Sequence, residues 1–468
     1  MADQQGRIAR WMRPESRTRR LLLAASVYVV CVAVFAMLAG PDRLLRHTQY
    51  NHYALLADAW LHGRQNLVGG PPAYAQNNDF VEFEGKTYIS FPPLPAMLML
   101  PFVKLSGNAE NFRDGQFIVW LAGLAPAFLF LALEKLRRTG RSPRTERQDL
   151  VLSLLFAFGT VYFFTAVQGT VWFAAMVVAT TASALYVLFA LDAEHPLLAG
   201  AMMGCVWLSR PPIIWMSLLF ALEALRVSLR GGLPSEGTGW QRLREGIDRL
   251  DARALAKRVA LFSIPILVAF AFATWTNWTR YGRPTPVWFD HELLAVAWKG
   301  RMAKWGMVSY HYLAKNLGVA LTDLPWLPPR DGAAAFGSPF KINEHGLALW
   351  FTTPLYLWLL WPKRFDGQPD RKWLYVVAAL SAAVPAAMDL CYQNTGWQQF
   401  GYRFSNDYSV LLFVMLAVGA RPMGRLFAVA AVWSVAWNCF GAATFLKGGP
   451  FERFYFRDGS QTIVYQQD

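Results

Sequence analysis

Long apolar segments recur along the whole chain, and they restrict its fold more than any other feature. A helix needs about 20 apolar residues to cross the hydrocarbon core of a bilayer. Eleven segments approach or reach that length: 21–40, 115–135, 149–167, 171–191, 197–209, 211–225, 259–277, 346–361, 373–391, 406–420 and 426–445. The sequence therefore predicts an all-α polytopic membrane protein with about 11 transmembrane helices.

The composition excludes several other protein classes. Hydrophobic residues make up 54% of the chain and charged residues only 16%, whereas about a quarter of a soluble domain is charged. The four cysteines are far apart and form no CxxC pair, which excludes a Cys-ligated zinc site and a disulfide scaffold. Basic stretches adjoin the apolar segments. The net charge of +14 thus indicates membrane orientation, and we expect no nucleic-acid partner.

Lysine and arginine give the expected orientation in an inner or plasma membrane. Residues 1–20 form a basic tail, and residues 135–147 are also basic. The positive-inside rule places both segments in the cytoplasm, and an odd number of spans leaves the C-terminus outside. In this topology the transmembrane domain covers 21–445, with external loops at 41–114 and 278–345, a cytoplasmic amphipathic segment at 226–258, and an external tail at 446–468.

Two segments outside the spans have a clear local pattern. In the first external loop, the sequence from about Tyr50 predicts a short amphipathic helix that ends at Gly63, with Asp58 on its polar side. Alternation about Glu84-Gly85 then predicts a β-hairpin, and the proline-rich stretch 91–105 predicts a helix in the outer interface. On the cytoplasmic side, residues 240–258 predict one basic amphipathic helix on the lipid surface.

Carboxylates in the external loops raise the question of a metal ion. Glu82 and Glu84 are expected on one face of the hairpin, where they either hold a divalent cation or remain solvated. Asp290-His291-Glu292 lacks the spacing of a metal motif and predicts a surface cluster. We assign no metal ligands and no certain cofactor, and a divalent cation stays open.

Four ionisable residues are expected at membrane depth in the outer half of the protein. Charges at that depth are costly unless they are paired or line a wet cavity, so they are candidates for substrate binding. Arg403 and Asp407 are four residues apart in sequence and have mutual pairing as their structural alternative. The four residues are Arg210, Asp389, Arg403 and Asp407.

The order of these features resembles the GT-C glycosyltransferases, a superfamily that includes protein O-mannosyltransferases and lipid A aminoarabinose transferases. The resemblance covers about the first 225 residues and one late segment. It consists of the Tyr53-Ala54 helix ending at Gly63, the Phe91-Pro92-Pro93-Leu94 segment, the Gly200 to Gly204 hairpin leading to Arg210, and Phe400-Gly401-Tyr402-Arg403.

The resemblance implies transfer of a sugar from a polyprenyl-phosphate donor to an extracytoplasmic glycolipid, polysaccharide or protein, with inversion at the anomeric carbon. The family usually has an acid three or four residues before the tyrosine of the first helix, where this chain has Gln49 and Tyr50. We therefore expect Asp58 to be the catalytic base, with His52 as the second choice. Asp42 and Asp79 are the other nearby acids.

The remaining candidates would bind substrate. Arg210 and Arg403 are expected on the leaving phosphate, because guanidinium groups match its geometry and growing charge. The other candidates are Tyr402, Lys86, Asp79 and Asp389. Two alternatives remain: a multi-span lipid or sugar transporter, although no internal repeat is visible, and an O-antigen polymerase or ligase.

Overall fold

The computed structural model describes residues 16–74, 79–234, 238–296, 298–328 and 337–456, and it is mostly helical. The ends of the predicted tails, 1–15 and 457–468, lie outside this part. The helices, in chain order, are α1 Arg17–Ala39, α2 Pro41–Leu44, α3 His52–Leu61, α4 Leu94–Ser106, α5 Asp114–Ala122, α6 Leu124–Arg138, α7 Glu146–Phe158, α8 Tyr162–Ala166, α9 Val171–Ala190, α10 Pro196–Trp207, α11 Ser217–Val227, α12 Gly239–Arg249, α13 Ala252–Tyr281, α14 Asp290–Leu293, α15 Lys299–Trp305, α16 Leu313–Leu321, α17 Leu349–Thr352, α18 Pro369–Leu390, α19 Asn406–Gly419 and α20 Arg425–Thr444.

Six helical segments of the described chain are long and apolar enough to cross a membrane. They are Arg17–Ala39, Asp114–Arg138, Val171–Ala193, Ala252–Tyr281, Pro369–Leu390 and Arg425–Thr444. These segments support the predicted integral membrane protein, but the count of about 11 spans is not confirmed. The other five apolar segments form helices that are shorter or broken.

Two of the broken segments contain prolines, and one of the short helices is enclosed by protein. Prolines at 211, 212 and 354 lack the backbone N–H that a continuous helix needs, and 3₁₀ turns cover Pro211–Met216 and Pro354–Leu360. α19 has only 14 residues, and nearly all of its side chains are buried. Helices too short to span a bilayer are tolerated where protein surrounds them.

Glycines allow two of the closest helix contacts. A Cβ atom on Gly200 of α10 would lie 2.0 Å from the backbone oxygen of Phe262 on α13. On Gly123, between α5 and α6, a Cβ atom would lie 2.5 Å from Val32 of α1. The small residues of the predicted Gly-x-x-x-Gly hairpin thus bring α10 and α13 together, as small residues do between membrane helices.

The first external loop largely follows the sequence prediction. α3 is followed by Gly63 at φ 70°, and strands β1 (Phe80–Phe83) and β2 (Lys86–Ile89) pair in antiparallel register. Glu84 and Gly85 form the turn, both with positive φ. The predicted shared face of Glu82 and Glu84 is therefore wrong, because Glu84 belongs to the turn and not to the strand.

Residues 240–258, which were predicted to form one amphipathic helix, belong to two helices instead. α12 ends at Arg249, and Leu250 adopts an extended backbone. Asp251 then caps α13 by accepting a hydrogen bond from the backbone N–H of Ala254 at 3.0 Å. The last residues of the predicted amphipathic helix are therefore the first turns of a membrane-length helix.

The alternating helix directions give the bundle two distinct ends. The first, here called the basic end, holds the start of α1, the ends of α6 and α11, and the residues Arg19, Arg137, Arg141, Arg144 and Arg226. The second, here called the cavity end, holds the first external loop, the start of α9, the ends of α10 and α18, and the start of α19. The basic end as the cytoplasmic side stays a prediction.

Candidate active site

A cavity of about 1060 Å³ lies at the cavity end. It is enclosed by the 41–114 loop, the start of α9, the ends of α10 and α18, and the segment that follows α13. Six tryptophans line it: Trp172, Trp207, Trp215, Trp288, Trp298 and Trp397. Its charged and imidazole lining residues are His52, Asp79, Arg210, Asp290, His291, Glu292, Asp389 and Arg403.

Arg210 lies just past the end of α10, where it is paired with two buried acids. Its Nε atom donates to the Asp407 carboxylate at 3.1 and 3.2 Å, and its Nη2 atom lies 3.8 Å from Oδ1 of Asp389. Asp407 and Asp389 are only 1% and 2% exposed. The alternative pairing of Asp407 with Arg403 is wrong, because the carboxylate of Asp407 is bound by Arg210.

Arg403 is the second arginine that lines the cavity, and its surroundings differ from those of Arg210. Its guanidinium carbon lies 5.3 Å from the ring centre of Phe173 and 5.7 Å from that of Phe404. Within the described residues, its guanidinium has no carboxylate partner and makes no hydrogen bond, and the residue is 8% exposed. Burial and the nearby Arg210 lower the pKa of Arg403 to about 9, so the group remains charged at neutral pH. The cavity thus contains a buried guanidinium that forms no direct ion pair within the described residues.

A buried glutamine fixes the backbone from which Arg403 extends. The side-chain oxygen of Gln399 accepts a hydrogen bond from the backbone N–H of Arg403 at 2.9 Å. Its Nε2 atom donates to the carbonyl oxygens of His345 and Thr395 at 2.6 and 2.8 Å. Because Gln399 is fully buried and uses both ends of its amide, it holds the segment before α19 in one conformation.

His52 and Asp79 form a second polar pair in the cavity lining. The Nε2 atom of His52 lies 3.3 Å from Oδ2 of Asp79, and Trp172 donates its indole N–H to Oδ1 of Asp79 at 3.4 Å. The Nδ1 atom of His52 lies 3.5 Å from the hydroxyl of Tyr74. Phe80 packs beside the imidazole, with 4.7 Å between ring centres. This pair can accept a proton from a hydroxyl group placed in the cavity.

Five of the eight predicted site residues line the cavity, and three do not. Asp58, Lys86 and Tyr402 are absent from the lining. Asp58 lies six residues after His52 on α3, so its side chain points about 120° away around the helix. Lys86 is exposed at the turn of the hairpin, and Tyr402 is fully buried behind the cavity wall. The roles given to these three residues stay predictions.

The segment that follows α13 contributes lining residues that sequence reasoning missed. Asp290 is 2% exposed, accepts a hydrogen bond from the Tyr281 hydroxyl at 3.0 Å and lies 3.7 Å from Arg280. The expected surface cluster is therefore wrong for Asp290, while His291 and Glu292 line the cavity. The one available signal was Arg280, a cation at the end of a membrane-length helix that needs a partner.

Metal ligation was also left open by the sequence. Across residues 16–456, apart from the short undescribed gaps, no group of three or more His, Cys, Asp or Glu side chains is placed to hold a metal ion.

Comparison with known proteins gives only distant structural likeness. No protein-family model matches the sequence, and no curated protein matches it either. An oligosaccharyltransferase from Archaeoglobus fulgidus, tethered with an acceptor peptide, aligns at a TM-score of 0.46 and 13% identity, over 89% of this chain and 55% of that chain.

The oligosaccharyltransferase AglB of the same archaeon, in complex with an inhibitory peptide and a dolichol-phosphate, aligns at a TM-score of 0.42 and 13% identity. That alignment covers 90% of this chain and 56% of AglB. This chain therefore spans about half the length of these enzymes. At these scores and identities the likeness is limited to a partly similar arrangement of helices.

Proposed function

We propose that this chain is a GT-C-type membrane glycosyltransferase, which moves a sugar from a polyprenyl-phosphate donor to an acceptor on the extracytoplasmic side. The proposal rests on the guanidinium of Arg403, which makes no ion pair or hydrogen bond within the described residues and lines the same cavity as the His52–Asp79 pair. One group fits a leaving phosphate and the other fits an attacking hydroxyl. The order of sequence motifs that resembles the GT-C enzymes supports the same reaction.

Arg403 is suited to the donor phosphate. When the bond between the anomeric carbon and the phosphate oxygen breaks, the electron pair leaves with that oxygen and its negative charge grows. A buried guanidinium stabilises this charge strongly, because no carboxylate of the described chain is hydrogen-bonded to it and little water screens it. Arg210 has a different role. Its contacts with Asp407 and Asp389 leave it less charge to offer, and it helps shape the wall next to Phe404, 5.0 Å away.

The His52–Asp79 pair is suited to the acceptor. The acceptor oxygen attacks the anomeric carbon from the face opposite the phosphate, its O–H proton passes to the pair, and polyprenyl phosphate departs. This single displacement inverts the anomeric configuration. The Nε2 atom of the imidazole and the Asp79 carboxylate lie 3.3 Å apart, so either group can accept the proton while the other stabilises the charge that forms. Asp58, the first choice from sequence, lies away from the cavity lining.

The surroundings also suit a lipid-linked donor. The cavity lies among helices of membrane length, and part of its lining is apolar and exposed, including Trp215 at 53%. A polyprenyl chain can therefore remain in the bilayer while its phosphate reaches the cavity. The positive-inside rule, which puts the basic end in the cytoplasm, supports the extracytoplasmic side for the reaction.

The test is release of polyprenyl phosphate by purified protein in lipid nanodiscs. The protein is given a panel of polyprenyl-phosphate sugars together with saccharide, glycolipid and peptide acceptors. We expect release with at least one pair, and loss of release in Arg403→Met. Arg64→Met, which changes an exposed arginine outside the cavity lining, is the matched control.

Two results would contradict the proposal. One is the absence of release with every donor, and the other is full activity of Arg403→Met. Gradient-dependent movement of a lipid-linked sugar across the membrane, without release of polyprenyl phosphate, would favour a transporter instead.

A further inference from the structure

The cavity has a second polar region, in the segment between α13 and α15. Residues 287–296, here called the 287–296 loop, supply much of one part of the cavity lining. Asn277 anchors the start of the loop by donating its amide to the carbonyl oxygens of Thr285 and Val287 at 2.7 and 3.0 Å. Trp288 donates its indole N–H to the carbonyl oxygen of Trp207 at 3.2 Å. The loop is thus held in place before any ligand arrives.

His291 lines the cavity with an imidazole that packs against a neighbouring ring but makes no hydrogen bond within the described residues. Its ring packs edge-on against Phe91, with 5.6 Å between centres and an interplanar angle of 84°. Phe91 in turn lies 6.0 Å from the ring of His52, so the two imidazoles flank one phenyl ring. Neither ring nitrogen of His291 has a hydrogen-bond partner among the residues that the structure describes. In its neighbour Asp290, Oδ2 accepts the hydrogen bond of Tyr281, and Oδ1 is buried without a hydrogen-bond partner in the described chain.

The chemistry of the loop favours uncharged hydroxyl groups. Burial lowers the pKa of His291, and its charged neighbours are Asp290, Asp79 and Arg210. The imidazole is therefore neutral at neutral pH, with one nitrogen that donates and one that accepts a hydrogen bond. Glu292 is exposed and makes no ion pair within the described chain, which disfavours a negatively charged ligand at this position.

The indole rings of Trp288 and Trp298 favour a ligand that has a flat apolar face. Because the N–H of Trp288 is already used by Trp207, its ring can offer a ligand only an apolar face. Trp298 lines the cavity next to the loop. A sugar ring has an apolar face of C–H groups and a rim of hydroxyl groups, so it can stack on an indole while its hydroxyls reach His291.

We infer that the 287–296 loop is the acceptor subsite and takes a neutral sugar, whose ring stacks on Trp288 and whose hydroxyl groups hydrogen-bond to His291. This inference rests on the proposed function. The donor carries a phosphate, which belongs beside Arg403 and is repelled by Glu292, the exposed acid of the loop. The uncharged partner of the reaction therefore occupies the loop, within reach of the His52–Asp79 pair.

The test separates acceptor from donor by kinetics and by binding. His291→Phe keeps an aromatic ring against Phe91 but removes both nitrogens, and His291→Asn keeps a donor and an acceptor. His62→Asn, on the exposed side of α3, is the control. Methyl glycosides of glucose, galactose and mannose serve as neutral probes, a glucuronide as the anionic probe, and a Ser/Thr peptide as the non-sugar probe.

We expect one of the neutral glycosides to quench tryptophan fluorescence without donor present. In His291→Phe, its Kd and its KM as acceptor should rise by about tenfold or more, which corresponds to a lost hydrogen bond in a buried site. The donor KM should stay within about threefold, His291→Asn should recover part of the loss, and His62→Asn should match the wild type.

The inference is overturned if the donor KM rises instead of the acceptor KM, if only the glucuronide or the peptide binds, or if no neutral glycoside binds. It is also overturned if His291→Phe behaves as the wild type. A different result would contradict the proposed function alone. Glycoside binding that depends on His291, without release of polyprenyl phosphate from any donor, would keep the sugar subsite and reject the transferase.

Discussion

The two ends of the helical bundle use buried arginine in opposite ways. At the basic end, Arg141 and Arg226 both bind the fully buried carboxylate of Glu223, and both also contact Asp192. At the cavity end, Arg403 is similarly buried and has no acid partner within the described residues. One end completes its charge pairs inside the protein, and the other leaves one cation for a ligand.

This difference separates a structural charge from a functional one. A buried ion costs several kcal/mol unless partners replace the water it has lost, so an unpaired cation is retained only where something else repays that cost. Arg210 is the intermediate case, since it lines the cavity but is already paired with Asp407. The comparison therefore predicts that substitutions at the basic end reduce stability and that substitutions in the cavity reduce turnover.

The largest effect is expected for Asp79→Asn. The amide keeps the shape of the side chain but no longer favours a proton on His52, so sugar transfer should fall by about 10²- to 10⁴-fold, as for loss of a general base. The measurement is release of polyprenyl phosphate under single-turnover conditions, with the melting temperature as the control. A variant that melts early and keeps its specific activity would place Asp79 with the structural charges.

Arg403→Met should follow, with a loss of about 10²- to 10³-fold in transfer, the range found when one group that stabilises developing charge is removed. Because no acid loses its partner, the melting temperature should stay unchanged or rise. Arg403→Lys should keep part of the activity, since it preserves the charge but not the fork geometry. A strong loss of stability without loss of turnover would break the comparison.

Arg141→Met tests the opposite end. It leaves Glu223 buried with Arg226 as its remaining partner, and we expect the free energy of unfolding to fall by about 3 kcal/mol. Turnover per folded molecule should not change. Arg230→Met is the control, because this arginine is exposed and pairs only with the partly exposed Asp251. Unfolding in mixed micelles, followed by tryptophan fluorescence, measures both variants.

A smaller effect is expected from acid, through His345 beside the Gln399 segment. Burial, with a contribution from Lys315, lowers the pKa of His345 to about 4 in the folded chain. The unfolded chain therefore binds the extra proton first, and stability is lost as pH falls from about 6.5 towards 4. At pH 5.5 the loss should be about 1 kcal/mol relative to pH 8. A pH-dependence of unfolding that is unchanged in His345→Asn would contradict this assignment.

The smallest effect is expected for Asp58→Asn. Its carboxylate is absent from the cavity lining, and its nearest charged partner is His62 at 3.9 Å. Transfer should therefore stay within about threefold of the wild type, as for most polar substitutions away from an active site. The same release assay gives the answer, and a loss comparable to that of Asp79→Asn would restore Asp58 as the catalytic base.

Sequence patterns predicted the local elements well, because their causes are local. The end of α3 near Gly63, the turn at Glu84-Gly85 and the position of Arg210 after the α10 hairpin follow from residues a few positions apart. The partners of the charges were not predictable in this way. Asp407 lies four residues from Arg403, yet it binds Arg210, 197 positions away, because the fold brings α10 and α19 together.

Helix continuity and side-chain direction could not be predicted from the sequence either. An apolar run gives the same hydropathy whether it forms one long helix or a short buried one, and α19 shows the second outcome. Asp58 was favoured by its place in a polar stripe, but the face of α3 that reaches the cavity carries His52.

The distant pairing of Arg210 has a consequence for how the protein is made. During synthesis, Arg210 and the short helices next to it emerge long before Asp407, so the arginine lacks its main partner at that stage. α10 has 12 residues and measures about 18 Å, well short of the roughly 30 Å hydrocarbon core. These short segments cannot each span the bilayer on their own. Their insertion has to be completed late and cooperatively, once α18 and α19 have arrived.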